Sequence, residues 1–134
     1  MGGLIVLYAA AFDARIRSVA ATGTLVSYSS IAESELYTHR FSSFGPGFLR
    51  DFDLPDLASL IAPRTLLLQN PVDALHRVLA PEAVERTFRS AAEVYETAGK
   101  RDQMRILADG TAAGIVRRYT TLLPEGPDRP RGSK

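Results

Sequence analysis

Helical and strand-like patterns alternate along this chain in the order helix–strand–helix–strand–helix–strand–helix. That order predicts an α/β protein with about three parallel strands flanked by helices. Two observations carry the assignment. The run Arg64 to Asn70 is apolar through its centre, as a parallel strand buried on both faces must be. Downstream of Pro81, the residues Val84, Phe88, Ala91, Tyr95 and Ala98 recur at helical spacing, which marks one apolar stripe.

Each element follows in turn. Gly3 to Phe12 is small and apolar throughout and reads as a buried helix, ending at Asp13-Ala14-Arg15. Ile16 to Thr22 is a short strand closed by Gly23. The stretch 24–50 is polar and irregular, broken at Gly45-Pro46-Gly47, and long enough that functional loops or short helices are expected in it. Asp53 or Leu54 caps the next helix, with Pro55 in its first turn and Leu57, Leu60 and Ile61 as its apolar face. Pro63 ends that helix, and Arg64 to Asn70 is the second strand.

The helix opened by Pro81 is expected to run unbroken to Gly99, which is placed to stop it. Met104 to Ala108 is the third strand, and Thr111 to Leu123 a final helix with Ile115, Tyr119 and Leu122 on one side. Residues 1–123 are read as one domain. Residues 124–134, rich in proline, glycine and basic side chains, are read as a disordered tail.

Composition narrows the function classes. With 134 residues and 46% hydrophobic content, the chain has material for a single core. Sixteen basic residues against fifteen acidic leave a net charge of +1, and no basic stripe is interleaved with aromatics, so nucleic acid is not expected as a partner. Without cysteine there is no disulfide, thiolate chemistry or Cys-ligated metal. The apolar run 4–12 is too short to span a bilayer, and no Lys or Arg precedes it as in a signal peptide. No membrane association is expected, and a cytoplasmic location is favoured.

Ligands of open parallel sheets bind beyond the carboxyl ends of the strands. The turns there are Gly23-Thr24-Leu25, Asn70-Pro71-Val72-Asp73 and Asp109-Gly110-Thr111. An aspartate just past a buried strand can orient a histidine and stabilise the imidazolium formed in acyl transfer, which singles out Asp73. The competing role for Asp73 is to cap the turn that follows it. The two histidines, His39 and His76, have no metal-chelating spacing, and no metal or cofactor is expected. Ser27, Ser29 and Ser30 do not stand in a nucleophile elbow.

Met1-Gly2-Gly3, Phe12 to Ile16, Asp53 to Leu57, Ile61 to Arg64 and Asn70 to Asp73 form an ordered set. Together they resemble the C-terminal part of an α/β-hydrolase, nearest the acetyl xylan esterase and dienelactone hydrolase-like branch. The resemblance covers about residues 1–109. It implies a partial α/β-hydrolase fold whose three strands are the sixth, seventh and eighth of the family's sheet, and serine-based hydrolysis of carboxylic esters with a small-molecule ester as substrate. On that basis Gly2 and Gly3 close the Gly-x-Ser-x-Gly-Gly elbow, the Met1 backbone N–H is an oxyanion donor, Asp73 is the triad acid and His39 lines the substrate cleft.

Two departures accompany the resemblance. No nucleophile strand precedes Met1, and the loop after the third strand has no histidine. The chain therefore reads as a fragment or remnant, inactive alone, completed by a missing N-terminal half. The alternative is a non-catalytic module that dimerises or pairs through its open sheet edge. A complete flavodoxin-like nucleotide-binding domain is a third reading, but no Gly-rich phosphate loop follows any strand.

Overall fold

Leu66, Leu67 and Leu68 are all fully buried, so strand β2 (Thr65–Gln69) has no solvent-facing side. Such a strand belongs in the middle of a sheet covered on both faces. The computed structural model describes residues 2–40 and 47–108, and β2 is central within them. β1 (Ser18–Thr22) and β3 (Met104–Leu107) flank it, both parallel to it, with Val19 opposite Leu66 and Leu68 opposite Ile106. The expected helix at 111–123, the tail 124–134 and the turn at Asp109 lie outside the described residues.

Helix α1 (Gly2–Phe12) packs along β1, and α4 (Leu54–Ile61) packs against both α1 and α6 (Arg89–Thr97). Leu7, Ala10, Val19, Ala21, Ala58, Ile61, Leu66, Leu68, Phe88 and Tyr95 form the resulting core. A second cluster of Leu4, Leu25, Tyr28, Leu54 and Leu57 joins α1, the segment after β1 and α4. The stretch 24–50 contains two short helices, α2 (Ser29–Ala32) and α3 (Phe48–Asp51).

Three expectations need correction. α1 is not fully buried: Leu4, Leu7 and Ala10 face the core, whereas Ile5 is 61% and Phe12 75% exposed. A helix that is apolar all round gives periodicity no stripe from which to pick its buried side. Leu60 is exposed, because the inward stripe of α4 runs through Leu54, Leu57, Ala58 and Ile61. The helix from Pro81 breaks at Phe88 (φ −93°, ψ 17°) into α5 (Pro81–Thr87) and α6, and Ala98 is an exposed C-cap. The break lets α5 pack on β3 while α6 packs on α4, and Val84, Phe88, Ala91 and Tyr95 stay buried across it.

Local sequence explains the boundaries. The Asp53 carboxylate accepts the Leu54 N–H at 2.6 Å, and Asp56 accepts the Asp53 N–H at 2.7 Å, a reciprocal cap that starts α4. Gly99 (φ 67°) ends α6, donating its N–H to Glu96 O while Lys100 N–H reaches Tyr95 O. That pattern satisfies carbonyls a helix end would otherwise leave open.

Arg64 pins the start of β2. Its guanidinium donates to four carbonyls: Asp13 O (3.1 Å), Ile16 O (2.8 Å), Ile61 O (3.1 Å) and Leu60 O (3.2 Å). Its own carbonyl accepts the Tyr95 hydroxyl at 2.7 Å, and burial raises that phenol above its ordinary pKa. One side chain thus ties the end of α4, the α1–β1 turn and the first residues of β2 together.

Gly3 lies where the first turn of α1 crosses the end of β1. A Cβ there would sit 2.7 Å from Thr24 Cβ and 3.3 Å from Thr22 O, whereas a Cβ on Gly2 would meet nothing within 4 Å. Gly3→Ala is therefore expected to cost about 1–3 kcal/mol by overpacking. Gly2→Ala should be neutral or stabilising by up to about 0.5 kcal/mol. Urea denaturation of the two variants measures the contrast, and equal stabilities would refute the close approach.

Candidate functional site

The carboxyl end of β2 is extended by a second set of backbone bonds. Gln69 O accepts from Gly23 N–H and Asn70 N–H donates to Leu107 O, so the strand is held from both sides to its last residue. Asn70 then takes a left-handed backbone (φ 46°), and Val72 resumes pairing with the segment after β1 through Val72 N–H to Thr24 O and Val26 N–H to Val72 O. Val72 also bridges Val78, which closes a tight turn over residues 73–77. Asp73 opens that turn.

The Asp73 side chain is only 17% exposed, and both of its oxygens are engaged. Oδ1 accepts the backbone N–H groups of Leu75 (2.8 Å) and Arg77 (2.9 Å), which is the turn-capping role. Oδ2 accepts the Arg77 guanidinium, with Nε and Nη2 both at 2.8 Å. Burial works to raise this carboxyl. The Arg77 backbone N–H, the Arg77 guanidinium and the Leu75 N–H together outweigh it and hold Asp73 below its ordinary value.

Both histidines are brought to this turn, though they come from different segments. His39 Nε2 lies 2.8 Å from the Asp73 carbonyl, so the ring N–H donates to it. His76 Nδ1 lies 2.8 Å from Thr38 Oγ1, and the two imidazoles stack with centroids 3.8 Å apart and planes 17° from parallel. Burial pushes His39 below its ordinary pKa. The Asp73 carbonyl opposes that shift, and the charge of His76 adds to it. Among the hydrogen bonds of the described residues, neither ring reaches the Asp73 carboxylate. Stacked rings direct their lone pairs in separate planes rather than at one point, and no group of three metal-ligating side chains occurs among the described residues.

A half-open cavity of about 370 Å³ adjoins Asp73, lined by Val26, Ser27, Ser29, Ser30, Leu79 and Arg86 among others. Asp53 builds its serine wall. Besides capping α4, its carboxylate accepts Tyr28 N–H (2.6 Å), Ser29 N–H (3.1 Å) and the Ser29 hydroxyl (2.7 Å). The Ser30 hydroxyl donates to Ser27 O. Among the described residues, no hydrogen bond joins Ser27, Ser29 or Ser30 to an imidazole, the pairing that activates a serine nucleophile.

Gly2 and Gly3 form the first turn of α1, with Gly3 against Thr24 at the carboxyl end of β1. Met1, the expected oxyanion donor, lies outside the described residues. One feature without any signal in the sequence is polar: the Gln69 amide is fully buried, and neither its nitrogen nor its oxygen has a partner among the described residues. Thr24 Oγ1 and Asn70 Oδ1 share that condition. All three residues stand at the carboxyl ends of β1 and β2, where an open parallel sheet receives its ligand.

No protein-family model matches the chain, and no curated protein matches it. Among solved structures it is similar to a carbohydrate esterase family 15 (CE15) glucuronoyl esterase from Caldicellulosiruptor kristjansonii, with 25% sequence identity and a TM-score of 0.60. The match covers 87% of this chain and 38% of that one, so the chain spans well under half the length of the esterase. Its three parallel strands and their helices are a partial α/β fold that resembles an α/β-hydrolase esterase.

The Arg77 contact is the part of this site most open to test. A depressed carboxyl contributes stability above its unfolded value of about 3.9, and that contribution is lost as pH falls through the folded value. Arg77 is 73% exposed, so screening limits the pair. Arg77→Ala should cost only about 0.5 kcal/mol at neutral pH and nothing once Asp73 is protonated. It should also move the Asp73 carboxyl midpoint upward, read from its 13C resonance. An unmoved midpoint would remove Arg77 from the account.

Proposed function

We propose that this chain carries the acid-bearing part of a serine carboxylic ester hydrolase of the α/β-hydrolase type. Asp73 is its triad acid, Gly2 and Gly3 belong to the turn after the nucleophile, and the Met1 N–H is an oxyanion donor. One observation carries the reading: the carboxylate stands at the exit of the central parallel strand, oriented by its own turn, in a chain similar to a carbohydrate esterase. In the full reaction a serine hydroxyl attacks the ester carbonyl, an imidazole takes its proton, and the acid holds that imidazolium in orientation. The alcohol then leaves with a proton from the imidazole, and water hydrolyses the acyl-enzyme.

His39 is bonded to the Asp73 turn, His76 to Thr38, the two rings stack on each other, and among the described residues no serine is hydrogen-bonded to either. The chain alone is therefore expected to be catalytically silent, with a small ester as the substrate of the completed domain and a further polypeptide segment or a second chain as the source of nucleophile and base.

p-Nitrophenyl acetate tests this directly. Release of nitrophenolate by the purified chain should be linear in ester concentration and the same in Asp73→Ala. Saturable turnover that disappears in Asp73→Ala would overturn the inactivity.

A second reading has its own observation in its favour. Ile5, Val6 and Phe12 give α1 an exposed apolar stripe, as a surface for self-association would. On that reading the chain is a non-catalytic module that pairs with a second copy. Light scattering after size exclusion decides it, since a monomer across the micromolar range would reject it.

A further inference from the structure

The irregular segment 34–40 is fastened to the Asp73 turn by three contacts clustered at Thr38 and His39. Thr38 N–H donates to Ala74 O at 3.0 Å, Thr38 Oγ1 meets His76 Nδ1 at 2.8 Å, and His39 Nε2 meets Asp73 O at 2.8 Å. Between them lie the two stacked imidazoles, one from each side, at 3.8 Å. His76 holds a left-handed backbone (φ 60°), which histidine adopts more readily than most residues with a side chain, and its ring lies over His39 in that conformation. Two titratable rings stacked between a turn and the segment it holds are a candidate switch.

We propose that the His39–His76 stack is a proton-sensitive clasp, which holds segment 34–40 on the Asp73 turn when at least one ring is neutral and releases it when both are charged.

The hydrogen bonds do not oppose protonation by themselves. His39 Nε2–H donates to a carbonyl in either charge state, and Thr38 Oγ1 can accept from a protonated His76. The opposition is Coulombic, because two imidazolium rings at stacking distance repel strongly and protons are taken up in coupled steps. Other charges near the pair do not cancel this. On the turn side, the Asp73 carboxylate favours a charged His39, but by less than His76 opposes it, and the N-terminal charge adds to the opposition. On segment 34–40 the neighbours Glu35, Tyr37 and Arg40 are exposed to water. Burial of His39 adds to the effect, since its charged form is disfavoured before His76 is considered.

The sign follows. A histidine whose folded pKa is depressed leaves stability intact above the ordinary imidazole value of about 6.5 and removes it as pH falls below that value. The clasp is therefore closed at neutral pH and opens in mild acid, which uncovers the backbone of the Asp73 turn. None of this depends on the chain being part of an esterase.

Two NMR measurements on the full 134-residue chain test the proposal. In titrations of the imidazole resonances, His76→Asn should raise the midpoint of His39, because the opposing positive charge is removed. Asparagine is chosen because it tolerates the left-handed backbone at position 76. A His39 midpoint that does not move would overturn the coupling.

In hydrogen exchange, protection of the Thr38 amide, corrected for its intrinsic rate, should fall about tenfold or more between about pH 8 and about pH 5.5. In His76→Asn, where one charge at most remains, the fall should be under about threefold. Constant protection in the unaltered chain, or an equally steep loss in His76→Asn, would refute the clasp. His76 is exposed, so its substitution leaves the packed core intact and keeps both measurements valid.

Discussion

Everything in this structure is referred to β2, a strand with side chains buried on both faces and backbone bonded on both edges. Such a strand has no freedom to shift register, because a slip of one residue would break both ladders and turn Gln69 through the sheet. Its two ends are fixed by different means. Arg64 gathers four carbonyls at the start, so the end of α4 and the α1–β1 turn cannot move independently of the strand. At the exit, Val72 bonds back to the segment after β1 and bridges Val78, so the chain leaves the sheet as a short braced turn. The position of Asp73 is a consequence of that bracing.

The two oxygens of Asp73 differ in how replaceable their partners are. Oδ1 is tied to backbone N–H groups within its own turn, and nothing can be exchanged there without unfolding the turn. Oδ2 is held by an arginine that is largely in water, a contact worth under about 1 kcal/mol. A buried imidazolium competing for the same oxygen would act in a lower dielectric and bring a stronger charge-assisted bond. The turn-capping role and an acid role are therefore compatible: one oxygen sets the orientation, and the other carries a weakly held, displaceable cation. The cap does not argue against Asp73 as an acid.

Local chemistry made much of the fold legible. The leucine run of β2, the Asp53 cap with Pro55, and Gly99 at the end of α6 each act within a few residues, and the chain follows them. Effects that needed tertiary information were not legible. Nothing near Arg64 announces that its guanidinium will span the α1–β1 turn. The stacking of His39 on His76 depends on where two loops are brought together by β1 and β2. The exposure of Ile5 and Phe12 was hidden because an all-apolar helix carries no record of which side is covered. The break at Phe88 leaves the apolar repeat intact, so periodicity could not reveal it. Gln69 reads as the polar end of an apolar strand, and only the packed sheet shows its amide buried without a partner among the described residues.

The glycines at the start of α1 illustrate how far one residue can support an identity. Gly3 is required by packing alone, since any Cβ would collide with Thr24. A glycine in that place is thus expected in any fold where a helix crosses the end of a parallel strand this closely, catalytic or not. Gly2 has open space around its Cα and no such requirement. A functional reading therefore draws more from Gly2, whose backbone is accessible at the head of a helix, than from Gly3, whose role is already explained. Even Gly2 carries weight only in combination. The open first turn of α1, the braced carboxylate of Asp73 and the unspent polar atoms of Thr24, Gln69 and Asn70 all stand at the carboxyl end of one sheet. These features converge on the side of a parallel sheet where ligands bind, and no single motif among them carries as much as their common placement.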